Sequence, residues 1–122
     1  MENPSHFDEQ QEAIAHFAGI FLEQKFGFPP QSIKVLMEHD LVVIRVNNFL
    51  SPAEIEMGNE KMNTNIIHDM YSKLFNKVKS SLVDQIKQIT SKKVISSQIG
   101  INFETKVFMM TFFLFSTSIE KE

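Results

Sequence analysis

Cysteine is absent from this chain, and with it go disulfides, thiol nucleophiles and cysteine-ligated metal sites. Nothing in the sequence calls for an oxidising compartment. Arginine occurs once, at Arg45. One guanidinium is too few for the forks that dominate base and phosphate recognition, which argues against nucleic acid as a partner. Four scattered glycines build no phosphate cradle. No apolar run nears the ~20 residues that span a bilayer as a helix. The acidic, polar start "MENPSHFDEQQEA" lacks the features of a signal peptide. These absences point to a cytoplasmic protein without a transmembrane segment.

What is present suits a folded chain: 122 residues, 43% hydrophobic and 22% charged, are expected to form a single domain over residues 1–122. The net charge of −3 conceals an asymmetry. Residues 1–60 carry three basic and ten acidic side chains, and residues 61–122 carry nine and five. Halves at −7 and +4 attract each other across a shared interior, and a basic face for a partner is the other reading.

The first helix is expected to start at Ser5, with Asp8 three residues on in the manner of a capping box. Ile14, Phe17, Ala18, Phe21 and Leu22 follow at helical spacing, and Gly27 stops the helix. "IKVLMEHDLVVIRV" reads as a hairpin turning at His39-Asp40. Ser51, Pro52 and Glu54 form the clearest local signal in the chain, a capped start to a short helix ending near Gly58-Asn59. A long helix follows from about Glu60 to Thr90, its stripe made by Ile67, Met70, Tyr71, Leu74, Val78, Leu82, Ile86 and Ile89. "KKVISSQIGINF" and "KVFMMTFFLFS" then form a second hairpin turning near Glu104-Thr105. The expected fold is α+β: two hairpins in an antiparallel sheet of about four strands, packed with an N-terminal helix, a short capped helix and one long helix.

The last strand is apolar on both faces. Phe108, Met110, Phe112 and Leu114 point one way, and Val107, Met109, Thr111, Phe113 and Phe115 the other. One helical layer leaves the second face bare, so either the first helix or a second copy of the chain must cover it. A homodimer is expected, with Phe108, Met110, Phe112, Phe113 and Phe115 as interface candidates.

No constellation announces a reaction. Glu12 and His16 stand four apart on a helix, a spacing that suits a metal, yet nothing completes a site and a solvated face is the better reading. His68 and Asp69 are expected to point about 100° apart and not to pair. The serines lie in no nucleophile elbow. Lys73, Lys77, Lys79, Lys87, Lys92 and Lys93 form a basic strip, of which Lys73, Lys77 and Lys87 are the candidates for a basic face, suited to anionic headgroups. A small-ligand pocket, if one exists, is expected among Gly27, Pro30, Ser51 and Glu54. No metal or cofactor is expected.

Taken as a whole, "GFPPQSIKVLMEHDLVVIRVNNFLSPAEIEM" resembles the small bacterial domains of the membrane-potential-generating-system C (MpsC-like) family. Gly27 and Pro30, the hairpin "VLMEHDLVVIRV" and Leu50-Ser51-Pro52-Ala53-Glu54 carry the likeness, with a "KLF"-containing long helix and a last hairpin in matching order. It covers about residues 10–116. Three positions depart from the family pattern: Pro29 stands where a second glycine is usual, and Asn102-Phe103 where Asp-Pro is usual. The long helix is also poorer in arginine. The resemblance implies a non-enzymatic accessory protein in sodium-linked membrane-potential generation or bicarbonate uptake, working beside an integral membrane transporter subunit at the inner face of the membrane. A small-ligand-binding regulatory or enzymatic domain is the alternative.

Overall fold

The computed structural model describes residues 4–29, 32–49, 54, 56 and 61–115. The first helix, α1, runs Pro4–Phe26. It begins a residue before Ser5, which therefore lies within the first turn and is not its cap. Proline suits that place because its φ is already helical and the N–H it lacks would have no partner there. Gly27 ends the helix in the left-handed region, at φ 78°. There its N–H donates to the Glu23 carbonyl at 3.1 Å, closing one of the last turn's open acceptors.

Two strands follow, β1 (Ile33–Glu38) and β2 (Leu41–Asn47), joined by the expected His39-Asp40 turn. Neither turn residue has the positive φ that tight hairpin turns favour. The turn is held from outside: the Leu114 N–H donates to the Asp40 carbonyl at 2.9 Å, and Lys92 Nζ to the His39 carbonyl at 2.6 Å.

The long helix, α2, spans Lys61–Thr90. Thr90 Oγ1 donates to the Ile86 carbonyl at 2.7 Å and accepts the Lys92 N–H at 3.2 Å, and Ser91 at φ 61° takes the left-handed place that glycine usually fills. The second hairpin is β3 (Val94–Asn102) and β4 (Val107–Leu114). Its turn carries Lys106 at φ 58° and is tied by the Thr105 N–H donating to Asn102 Oδ1 at 3.0 Å.

The expected short helix falls largely outside the described residues: Ser51, Pro52 and Gly58-Asn59 are not among them, while Glu54 and Glu56 are helical. The described residues thus define two complete helices where three were expected.

The four strands form one antiparallel sheet in the order β1-β2-β4-β3. Ile14, Ala18, Phe21 and Leu22 of α1 and Ile67, Tyr71, Phe75, Leu82 and Ile86 of α2 join Val35, Val42, Ile44, Phe108, Met110 and Phe112 in a contiguous buried cluster. Both helices therefore pack on one face of the sheet. The expected stripe of α2 needs two corrections. Met70 is 49% exposed, and Phe75, absent from that stripe, is 2% exposed. Ile67, Tyr71 and Phe75 follow one another at four-residue steps, and that row is the one aimed at the sheet.

Candidate interaction surface

Because both helices take the same side, alternate residues of every strand face away from them. Along β4, Phe108, Met110 and Phe112 are fully buried, whereas Met109 is 40% and Phe113 38% exposed. The pairing registers set out the other face in rows. Glu38, Leu41, Phe113 and Ser96 form one row, and Leu36, Val43, Thr111 and Gln98 the next. The third is Lys34, Arg45, Met109 and Gly100. Leu36, Leu41, Val43, Met109 and Phe113 make a contiguous apolar patch, extended by Phe115 beyond the end of β4. Polar Ser96, Gln98 and Asn102 of β3 border it on one side. Among the described residues nothing covers this face.

This placement sorts the interface candidates. Phe113 and Phe115 lie where a partner can reach them. Phe108, Met110 and Phe112 do not: they fill the space beneath the helices and have no surface to offer until the chain unfolds. Of the two covers expected for the second face, α1 is eliminated, since it is committed to the core side.

The pocket candidates fare differently. Pro30 and Ser51 lie outside the described residues. Gly27 is exposed and holds a left-handed backbone angle, which accounts for a glycine there, and a Cβ would meet no atom within 4 Å. The space beside it holds aromatic rings. Phe26, Phe28, Phe49, Tyr71 and Phe108 converge from α1, the segment after it, the end of β2, α2 and β4. Phe26 and Tyr71 stack 6.0 Å apart with planes 3° off parallel, and Phe28 meets Phe49 edge to face at 6.2 Å. Each such pair contributes about 0.5–1.5 kcal/mol beyond its buried area. Beside Gly27 and Glu54 the described residues thus form packed core.

Glu54 belongs to that cluster. The Tyr71 hydroxyl donates to both of its carboxylate oxygens, at 3.3 and 3.2 Å. Burial raises the Tyr71 pKa well above the usual phenol value, and the Glu54 charge and its hydrogen bond push it further the same way. Glu54 thus satisfies the only hydroxyl among these rings.

The basic strip divides into used and exposed lysines. Lys73, Lys77 and Lys87 are exposed on α2. Lys79 is half-buried, its Nζ 3.2 Å from Ser97 Oγ and 5.6 Å from the Phe75 ring centroid. Lys92 secures the His39 turn, as described above. A shallow depression of about 450 Å³ lies among Lys73, Leu74, Asn76 and Lys77, and another of about 380 Å³ among Asp84, Lys87, Gln88 and Ser91. Asp84 thus interrupts the strip. Exposed Ile66 and Met70 precede Lys73 and Lys77 along α2.

His68 and Asp69 do approach each other, contrary to the helical-wheel expectation. Nδ1 and Oδ1 are 4.0 Å apart, because side chains leaving adjacent positions can lean together at a helix surface. Both are well exposed, so the contact contributes little. Glu12 and His16 are exposed, and no trio of His, Asp or Glu among the described residues could hold a metal. No described helix is long and apolar enough to cross a membrane.

The rings around Tyr71 and the exposure of Met70 escaped the sequence reading. A cue to the rings was present in Phe26, Phe28 and Phe49, which all flank helix or strand ends. Neither a curated protein nor a solved structure matches this chain. A family model does, over residues 8–116, and it covers both hairpins, α2, most of α1 and the sheet face that the helices leave open. The chain belongs to the MpsC family, described as the Na⁺-translocating membrane potential-generating system (MpsC).

Proposed function

We propose that this protein is a non-enzymatic accessory component of a sodium-linked membrane-potential system. It sits in the cytoplasm at the inner face of the membrane and acts by binding other proteins. The observation that carries this reading is the open sheet face, where Leu36, Met109, Phe113 and Phe115 remain exposed, joined across β2 by Leu41 and Val43. Patches of contiguous apolar surface mark interaction sites. Self-association through this face gives a homodimer. The outer side of α2 then remains for an integral membrane subunit: Ile66 and Met70 supply apolar anchors, and Lys73 and Lys77 supply charge.

The test is affinity purification of the tagged chain from detergent-solubilised membranes. Recovery of one integral membrane protein, lost when Lys73→Glu and Lys77→Glu are combined, supports the reading. Recovery of no membrane protein from wild type overturns it. The five rings packed beside Gly27 and Glu54 weigh against the ligand-binding alternative. A thermal-shift panel of nucleotides, bicarbonate and metal ions is accordingly expected to show no stabilisation, and a clear shift would restore that alternative.

A further inference from the structure

We propose that the open sheet face is covered by a second copy of this chain, packed face to face about a two-fold axis that crosses the strands through Leu36, Val43 and Thr111. This rests on the reading above that the face binds protein. It adds the axis and the register in which the two copies meet.

The charges on the face select the arrangement. Lys34 and Arg45 are cross-strand partners in one row, and Glu38 lies two rows away. Four residues along a strand are ~13 Å, and Glu38 forms an ion pair with neither cation within its own chain. All three are exposed. An axis across the strands exchanges the first and third rows. Glu38 then stands over the partner's Lys34 and Arg45, and symmetry makes the same contact twice. Phe113 meets the partner's Met109, a favourable ring–sulfur pairing. Leu36 and Val43 meet their own copies on the axis.

An axis along the strands does worse. It lays β1 over the partner's β3, so Lys34 faces Gly100, Arg45 faces Met109 and Glu38 faces Ser96. Each charge is then buried without a counter-charge, which costs more than the contact returns. Edge-to-edge pairing through β3 is opposed by the irregularity between Val94 and Ser96, which disturbs the ladder an added strand would extend.

The size is sufficient. Four strands at ~4.8 Å and about seven residues at ~3.3 Å give a face of roughly 440 Å² in projection, or about 900 Å² for two copies. Side-chain relief raises the accessible area to about the 1,000 Å² at which specific interfaces begin. Sheets packed this way cross at about −30° with ~10 Å between them, within reach of the long side chains of Glu38, Lys34 and Arg45.

The experiment is light-scattering mass and sedimentation equilibrium on the full chain and on charge reversals. Wild type is expected at twice the 14.1 kDa chain mass. Lys34→Glu and Glu38→Lys should each weaken dimerisation roughly tenfold or more, since each sets like charges opposite one another. The double reversal should recover most of the loss. The chain has no cysteine, so Thr111→Cys alone gives a single reporter on the axis. A bismaleimide spanning ~10 Å should join two copies there. A monomeric wild type, a double reversal no better than the singles, or no cross-link at Thr111→Cys would overturn the arrangement. The cross-link needs no charge reversal, so it decides the matter if a reversal fails to fold. A dimer with rescue and no membrane partner leaves this inference standing and removes the functional reading. A monomer that still retains a membrane protein does the reverse.

Discussion

Phe112 and Phe113 are neighbours in sequence with opposite surroundings, and truncating each in turn tests the placement of the core. Phe112 is 0% exposed beneath the helices and meets the Phe75 ring at 6.1 Å. Phe112→Ala removes a fully buried ring and leaves a cavity that tight packing cannot collapse, a loss of about 3–5 kcal/mol. Phe113 is 38% exposed on the open face. Phe113→Thr removes only part of a ring's burial, opens no enclosed void and keeps a residue that favours strands, so about 1–2 kcal/mol is expected. A domain of this size is stable by about 5–15 kcal/mol, so the first change removes about a fifth or more of the total. Near ~4 °C per kcal/mol, the melting temperature should fall ~12–20 °C for Phe112→Ala and ~4–8 °C for Phe113→Thr. Urea unfolding followed by circular dichroism is the assay, at protein concentrations low enough that association adds nothing. Equal losses at the two positions in the monomer would refute the reasoning, because they would mean that the second face is covered too.

Other expectations follow from the same geometry. Phe113→Asp should abolish self-association while the fold persists, as read by light scattering and circular dichroism; a folded variant of unchanged dimer mass would exclude this face. Tyr71 has its pKa raised on folding from 10.0, so the stability tied to its proton is complete below about pH 10 and is lost as pH rises beyond it. The slope approaches ~1.4 kcal/mol per pH unit, and Tyr71→Phe should flatten alkaline unfolding curves in that window. Lys106 and Ser91 hold left-handed backbone without being glycine, so Lys106→Gly and Ser91→Gly should each stabilise by a few tenths to about 1 kcal/mol in chemical denaturation. Gly27→Ala should cost about 1–2 kcal/mol through backbone strain alone, since its added methyl has open space.

Signals that act over a few residues were legible in the sequence. The end of α1 at Gly27, the extent of α2, both hairpins and their turns all follow from periodicity, capping and turn chemistry, which neighbouring residues decide among themselves. The two-faced character of β4 was equally plain. Which of its faces becomes core was not, because Phe108, Met110 and Phe112 differ from Met109 and Phe113 in no property that a period of two can detect. That choice waits on where the helices dock. The order β1-β2-β4-β3 likewise depends on β4 pairing with β2 of the other hairpin as well as with β3, a contact between residues sixty or more apart. The site read from the Gly27 turn and the Ser51 helix start rested on local capping signals, of which Gly27 keeps its role and Ser51 lies outside the described residues. The rings that pack beside Gly27 arrive from distant segments, and no local signal announced them. Local sequence determined the elements of this protein; tertiary packing alone determined which apolar surface was left over, since a helix can bury only the face it lies on.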